Sequence, residues 1–183
     1  MFENRGRIIR DGAPLDFAYI PDSLIGRREQ CEALEASFRP LFFDGVPCTA
    51  YLRGGAGSGK TVTARRFSED LTQAFVKAGK ALKTVYVNCR IRNSEHALLL
   101  DLIRNFDPGF PDRGFSLEEM LASFRKHVET GARPVVVILD EADAVMTQSG
   151  KNTVYQLTRM SEGMRPGASV SLIMISQKPL SSL

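Results

Sequence analysis

The run Gly54-Gly55-Ala56-Gly57-Ser58-Gly59-Lys60-Thr61 brings glycines, a lysine and a hydroxyl together at a spacing suited to holding phosphate. Glycine lets the backbone turn so that successive N–H groups point inward at an anion. The lysine offers a point charge to the β- and γ-phosphates, and the threonine hydroxyl after it is a Mg²⁺ ligand. Gly54, Gly59, Lys60 and Thr61 satisfy the full Walker A pattern. A short strand, Thr49 to Arg53, is expected before the run, and a helix, Lys60 to Lys77, after it. The helix start adds the positive end of its dipole. Gly55, Ala56, Gly57, Ser58, Gly59, Lys60, Thr61 and Val62 are therefore expected to surround the phosphates of a nucleotide.

A second set of candidates stands further along. Val136-Val137-Ile138-Leu139-Asp140-Glu141-Ala142-Asp143 is an apolar strand that ends in acids. Open α/β sheets bind ligands at the carboxyl ends of their strands, which puts Asp140 beside the glycine loop. Its carboxylate can hold Mg²⁺ there, directly or through a water. Glu141 points elsewhere and can orient and deprotonate an attacking water. Asp143 either caps the next turn or touches the metal. The chain has no Asn-Lys-x-Asp segment to read guanine, and a glutamate beside the metal-binding aspartate suits an ATPase. ATP/ADP with Mg²⁺ is the expected ligand, with Thr61 and Asp140 as the metal-binding residues.

Other chemistry-bearing residues point nowhere so specific. Cys31, Cys48 and Cys89 lack the spacing of zinc or redox sites and are expected to be reduced, mostly buried thiols. His96 and His127 have no Cys or His at ligand spacing and are read as structural or surface residues. A net charge of +3 is mild; Arg5, Arg7 and Arg10 form a local basic cluster that is read as a solvated terminus. The longest apolar run is far too short to cross a bilayer, and no signal peptide precedes it. A cytoplasmic chain with no membrane partner is expected.

The elements that must hold these residues alternate strand and helix, the pattern of a parallel sheet covered on both faces. Helical spacing over 27–43 precedes the first strand. Thr84 to Cys89 reads as a second strand, Pro134 to Asp140 as a central third and Ser169 to Ser176 as a fourth. Two helices, Ser94–Asn105 and Ser116–Thr130, fill the connection between the second and third strands. The breaker-rich stretch Asp107 to Gly114 separates them. Ser116 and Glu119 stand at capping-box spacing. A helix is expected over Asn152 to Glu162. The length, 183 residues, supports one sizeable core.

With these motifs placed, the chain resembles the AAA+ ATPases, and more narrowly the archaeal origin-recognition replication initiators of the Orc/Cdc type. The resemblance rests on Tyr19 to Gln30, Tyr86-Val87-Asn88-Cys89-Arg90, Tyr155-Gln156-Leu157-Thr158-Arg159 and Ser171 to Ser176, beyond the two motifs above. It implies a three-layer α/β/α P-loop fold with a central parallel sheet, over 27–183, truncated before the lid and the C-terminal domain. Residues 1–26 would pack near the nucleotide base, and a helical insertion would span about 91–133. By position it puts Tyr19, Ile20 and Leu24 near the base, with Arg27 or Arg28 beside them. It makes Gln177 the sensor 1 residue, where the family commonly has Asn, and Gly26 stands where the family usually has His. Arg92, Arg104, Arg113, Arg125 and Lys126 would be available to DNA. The implied function is an ATP-binding, slowly hydrolysing domain of a chromosome-associated replication initiator. Its full-length form would recognise origin DNA, with a replicative helicase and self-association on DNA as further interactions. The arginine finger and sensor 2 would lie beyond Leu183, so weak turnover is expected. The competing readings are a STAND-type signalling ATPase and a transposition or repair AAA+ regulator.

Overall fold

The computed structural model describes residues 19–21, 23–147 and 150–182. The basic cluster Arg5, Arg7 and Arg10 and most of the 1–26 segment lie outside them. Four strands form one sheet: β1 (Thr49–Arg53), β2 (Lys83–Asn88), β3 (Pro134–Asp140) and β4 (Ser169–Ser176). The order is β1-β4-β3-β2 and every pairing is parallel. Six α-helices accompany it among the described residues: α1 (Arg28–Asp44), α2 (Lys60–Lys77), α3 (Glu95–Arg104), α4 (Leu117–Gly131), α5 (Asp143–Met146) and α6 (Lys151–Arg159).

Alternation along β3 sends its side chains to two cores. Val136 and Ile138 pack with Leu34, Phe38 and Leu41 of α1 and Ala64, Phe67, Leu71 and Phe75 of α2. Val135, Val137 and Leu139 pack with the apolar faces of α3, α4 and α6, including Leu98, Leu102, Phe124, Val128 and Leu157. The three layers are thus as expected, and β3 and β4 are buried because both faces are covered. The helices of the 91–133 segment supply much of the second core. Ser94 caps α3 through Ala97 N–H, and Ser116 and Glu119 close a reciprocal capping box on α4.

Three local differences from the expected boundaries have physical causes. The second strand ends at Asn88, whose side-chain oxygen accepts from Arg90 and Ile91 N–H and turns the chain before Cys89 can continue it. The helix expected to reach Glu162 stops at Arg159, where Arg159 binds the Glu162 carboxylate and Gly163 adopts a left-handed φ of 69°. Asp143 begins a separate short helix, α5, instead of only capping a turn.

Candidate functional site

The glycine loop connects the end of β1 to the start of α2. Gly57 and Gly59 both adopt left-handed φ, 69° and 80°, which an L side chain resists. Gly59 is the N-cap of α2. A Cβ there would also lie 3.6 Å from the Arg27 guanidinium. Lys60 folds its ammonium back over the loop, with Nζ donating to the Gly54 and Gly55 carbonyls at 2.8 Å each. The initial N–H groups of α2 have no intrahelical acceptor and belong to the same anion-ready corner.

β3 delivers the acids. Its C-terminal residue Asp140 is 4% exposed, and both carboxylate oxygens are used. Oδ2 accepts from Thr61 Oγ1 at 2.9 Å and from the Tyr86 hydroxyl at 2.8 Å. Oδ1 accepts from Glu141 N–H at 3.0 Å. The Thr61–Asp140 bond ties the two sequence motifs together, since one oxygen on each is a hard ligand for Mg²⁺. Among the described residues no cluster of three His, Cys, Asp or Glu could hold a metal alone. The Thr61 hydroxyl and the Asp140 carboxylate are hard oxygen donors side by side, a pair that would fit a magnesium ion brought in with a nucleotide.

Tyr86 is the residue that sequence reasoning missed. Its phenol is pushed well above the usual tyrosine range by burial and by the Asp140 carboxylate that it donates to. It therefore stays a donor, and Arg65 stacks over its ring 5.0 Å from the centroid. The Cys89 thiol, also beside these acids, is pushed up to about 12 by burial first and then by Asp140, Asp143 and Glu141.

Glu141 follows with a left-handed φ of 51°, uncommon for a non-glycine residue and consistent with strain held at a functional position. Its carboxylate faces Arg90 at 3.3 Å. Asp143 accepts from Ser176 Oγ at 2.9 Å, and Ser176 Oγ accepts from Lys178 N–H at 3.0 Å. Tyr51 Oη donates to the Lys178 carbonyl at 2.7 Å. These bonds fix the chain on either side of Gln177. A cavity of about 150 Å³ is bordered by Ala56, Gly57, Lys60, Thr61, Asp140, Glu141 and Gln177 together. The loop, the acids at the end of β3 and the amide that follows β4 are thus brought to one place.

The other expected contacts divide. Arg27 donates to the Ser58 carbonyl and lines a second cavity beside the loop. Arg28, the first residue of α1, instead pairs with Glu32 one turn along the helix at 2.7 Å on its exposed side. Tyr19 and Leu24 are placed before α1, and Tyr19 is exposed. Neither they nor Ile20 border the two cavities that flank the loop. Of the cations considered for DNA, Arg92 pairs with Asp101 at 3.2 Å, Arg104 with Asp112 at 2.5 Å and Arg125 with Glu129 at 3.2 Å. Arg113 and Lys126 have no ion pair among the described residues.

Comparison with known proteins agrees with this fold. A family model described as an AAA domain matches residues 49–183. The chain is 30% identical over 174 residues to an ORC1-type DNA replication protein of Pyrococcus abyssi, covering 93% of this chain and 41% of that protein. It superposes on the Aeropyrum pernix ORC1 protein, solved in complex with DNA, with TM-score 0.84 and 26% identity, over 94% of this chain and 44% of that one. The fold is shared with the Cdc6p protein of Pyrobaculum aerophilum at TM-score 0.74 and 23% identity, covering 92% and 43% of the two chains. The chain spans about two fifths of the length of the curated relatives it matches.

Proposed function

The chain belongs to the AAA domain family, and from that premise we propose that it binds ATP with Mg²⁺, hydrolyses it slowly and acts as the nucleotide switch of a DNA replication initiator. The observation that carries this is the 2.9 Å bond from Thr61 to Asp140, which joins the phosphate loop to the acid end of β3. Lys60 holds the β- and γ-phosphates by exchanging its two loop carbonyls for phosphate oxygens. Bound Mg²⁺ would neutralise charge developing on those oxygens. Thr61 and Asp140 would hold that ion, and Tyr86 fixes the Asp140 carboxylate.

Glu141 is the general base for an attacking water, and Gln177 orients that water or the γ-phosphate from the end of β4. An arginine finger from outside the chain would add about 10³–10⁵ in rate. Arg27 is better placed than Arg28 to meet the nucleotide, being bonded to the loop itself. Tyr19, Ile20 and Leu24 remain the proposed contacts to the adenine.

The homology to ORC1-type replication proteins extends the proposal to the full-length protein. It would act in the cytoplasm on the chromosome, recognise origin DNA, help load a replicative helicase and associate with itself on DNA. Of the five cations considered for DNA, Arg113 and Lys126 are the two left without an ion pair among the described residues and so the ones proposed to meet phosphate. Calorimetry should show Mg-ATP binding to the chain and its loss in Lys60→Ala. Glu141→Gln should keep binding and lose residual hydrolysis, and unchanged turnover would reject the base. For the full-length protein, tighter binding to an origin fragment than to random DNA across a salt series is the matching test. Equal affinity at every salt concentration would reject the initiator role.

A further inference from the structure

The end of the sheet opposite the nucleotide loop carries a cleft of about 890 Å³. β3 and β4 start there, with Pro134 and Ser169 facing each other in register. Three cations line it, Lys80, Arg133 and Arg165, and none of them has an ion pair among the described residues. Lys80 is turned toward the Phe42 carbonyl at 2.7 Å and lies over the Phe42 ring. Two donors are left over. Arg133 Nε and Ser169 Oγ are both buried with no hydrogen-bond partner, and Ser169 as a whole is 4% exposed. Buried polar groups are almost always paired, so two orphans on residues that line one cleft point to an acceptor that reaches them when the cleft is filled.

The acceptor's chemistry follows from the walls. A guanidinium N–H beside a hydroxyl suits a carboxylate, which takes charge-assisted hydrogen bonds from both. The rest of the lining is largely apolar, with Leu41, Phe42, Phe75, Pro134 and Met164. Exposed Val46, on the α1–β1 connection, belongs to the same lining. A nucleic acid backbone fits poorly, because it asks for a row of cations and few acids. Here Asp44 and Glu162 also border the cleft. We propose that this cleft is a docking site for an acidic peptide segment of a partner protein, one carboxylate bound by Arg133 and Ser169 and an adjacent apolar side chain laid against Phe42, Pro134 and Met164. Because the cleft lies at the amino ends of the strands and the nucleotide loop at their carboxyl ends, the two sites can be filled together.

The test is fluorescence anisotropy with the whole chain and a short fluorescein-labelled peptide of alternating Glu and Leu. Controls are the Gln–Leu and Glu–Ser peptides and a labelled oligothymidylate. The Glu–Leu peptide should bind, both control peptides should weaken about tenfold or more, and unlabelled oligothymidylate should not displace it. Arg133→Gln should cost about tenfold or more in affinity, Ser169→Ala several-fold, and Lys151→Gln, on the exposed start of α6 outside the cleft, nothing. Melting curves check that each variant is folded; Ser169→Ala removes one unpartnered hydroxyl and should melt no lower than the parent, so it serves if Arg133→Gln does not fold. Failure of the Glu–Leu peptide to bind, equal binding of the Gln–Leu peptide, or undiminished binding by Arg133→Gln or Ser169→Ala would each overturn the proposal. Displacement by oligothymidylate would overturn it in favour of nucleic acid.

Discussion

Asp140 holds three hydrogen bonds on a nearly buried carboxylate, so what happens at the site depends on which donors remain. Tyr86→Phe removes one donor to a charged group and should destabilise the fold by about 1–2 kcal/mol in urea melts. The alkaline behaviour gives a second, signed expectation. The Tyr86 pKa is raised on folding, by burial first and then by Asp140. Its contribution is complete below the unfolded tyrosine value of about 10 and is lost as pH rises beyond it. The stability difference between parent and Tyr86→Phe should therefore shrink above about pH 10, and a constant difference would contradict the assigned cause. Cys89, pushed up to about 12, should resist alkylation near neutral pH while half-exposed Cys31 reacts, as mass spectrometry can count. Most of these residues were legible in the sequence: the loop, Asp140 and Glu141 follow from residue type and spacing alone. Tyr86 was not, because a strand pattern says which face a side chain takes and not which neighbouring strand's end its hydroxyl reaches. Arg27 and Arg28 were indistinguishable for a similar reason, since only the folded loop decides which of two adjacent guanidiniums meets it.

The strands and long helices were legible because their apolar residues repeat at clear periods, and β3, apolar on both faces, announced its central place. The strand order β1-β4-β3-β2 was not, since parallel strands of similar composition carry no mark of their neighbours. Nor was α5, whose four residues are too few to show a period. What the pattern does fix is which side chains bear stability. Phe124 is fully buried between α4 and the sheet, against Phe106 at 5.7 Å. Phe124→Ala should cost about 3–5 kcal/mol in denaturant melts. Phe43, 66% exposed, should change little on the same substitution, so the pair separates core packing from mere loss of a ring. Ala132 ends α4 in a left-handed conformation, φ 45°. Replacing it by glycine relieves that strain at some cost in unfolded-chain entropy, and a net gain of up to about 1 kcal/mol is expected.

Nucleotide affinity and global stability are one quantity when a ligand binds only the folded chain, and here the site draws on both sides of the sheet. Lys60 and Thr61 start α2, which packs on one face. Asp140 ends β3, whose residues feed both cores. Tyr86 reaches in from β2, at one edge of the sheet, and Gln177 follows β4. A ligand bridging these groups cannot stay bound while either layer opens, so its binding energy should appear as stability of the whole domain. At a concentration about 100 times its dissociation constant, Mg-ATP should add about 2.7 kcal/mol. For a domain of this size that corresponds to a rise in melting temperature of about 5–11 °C. Lys60→Ala should abolish the rise while leaving the ligand-free melting temperature nearly unchanged, because the lysine serves the loop and not the core. GTP at the same concentration should give a smaller rise if adenine is read. An equal rise with both nucleotides would confine recognition to the phosphates and withdraw the base contacts proposed for Tyr19, Ile20 and Leu24.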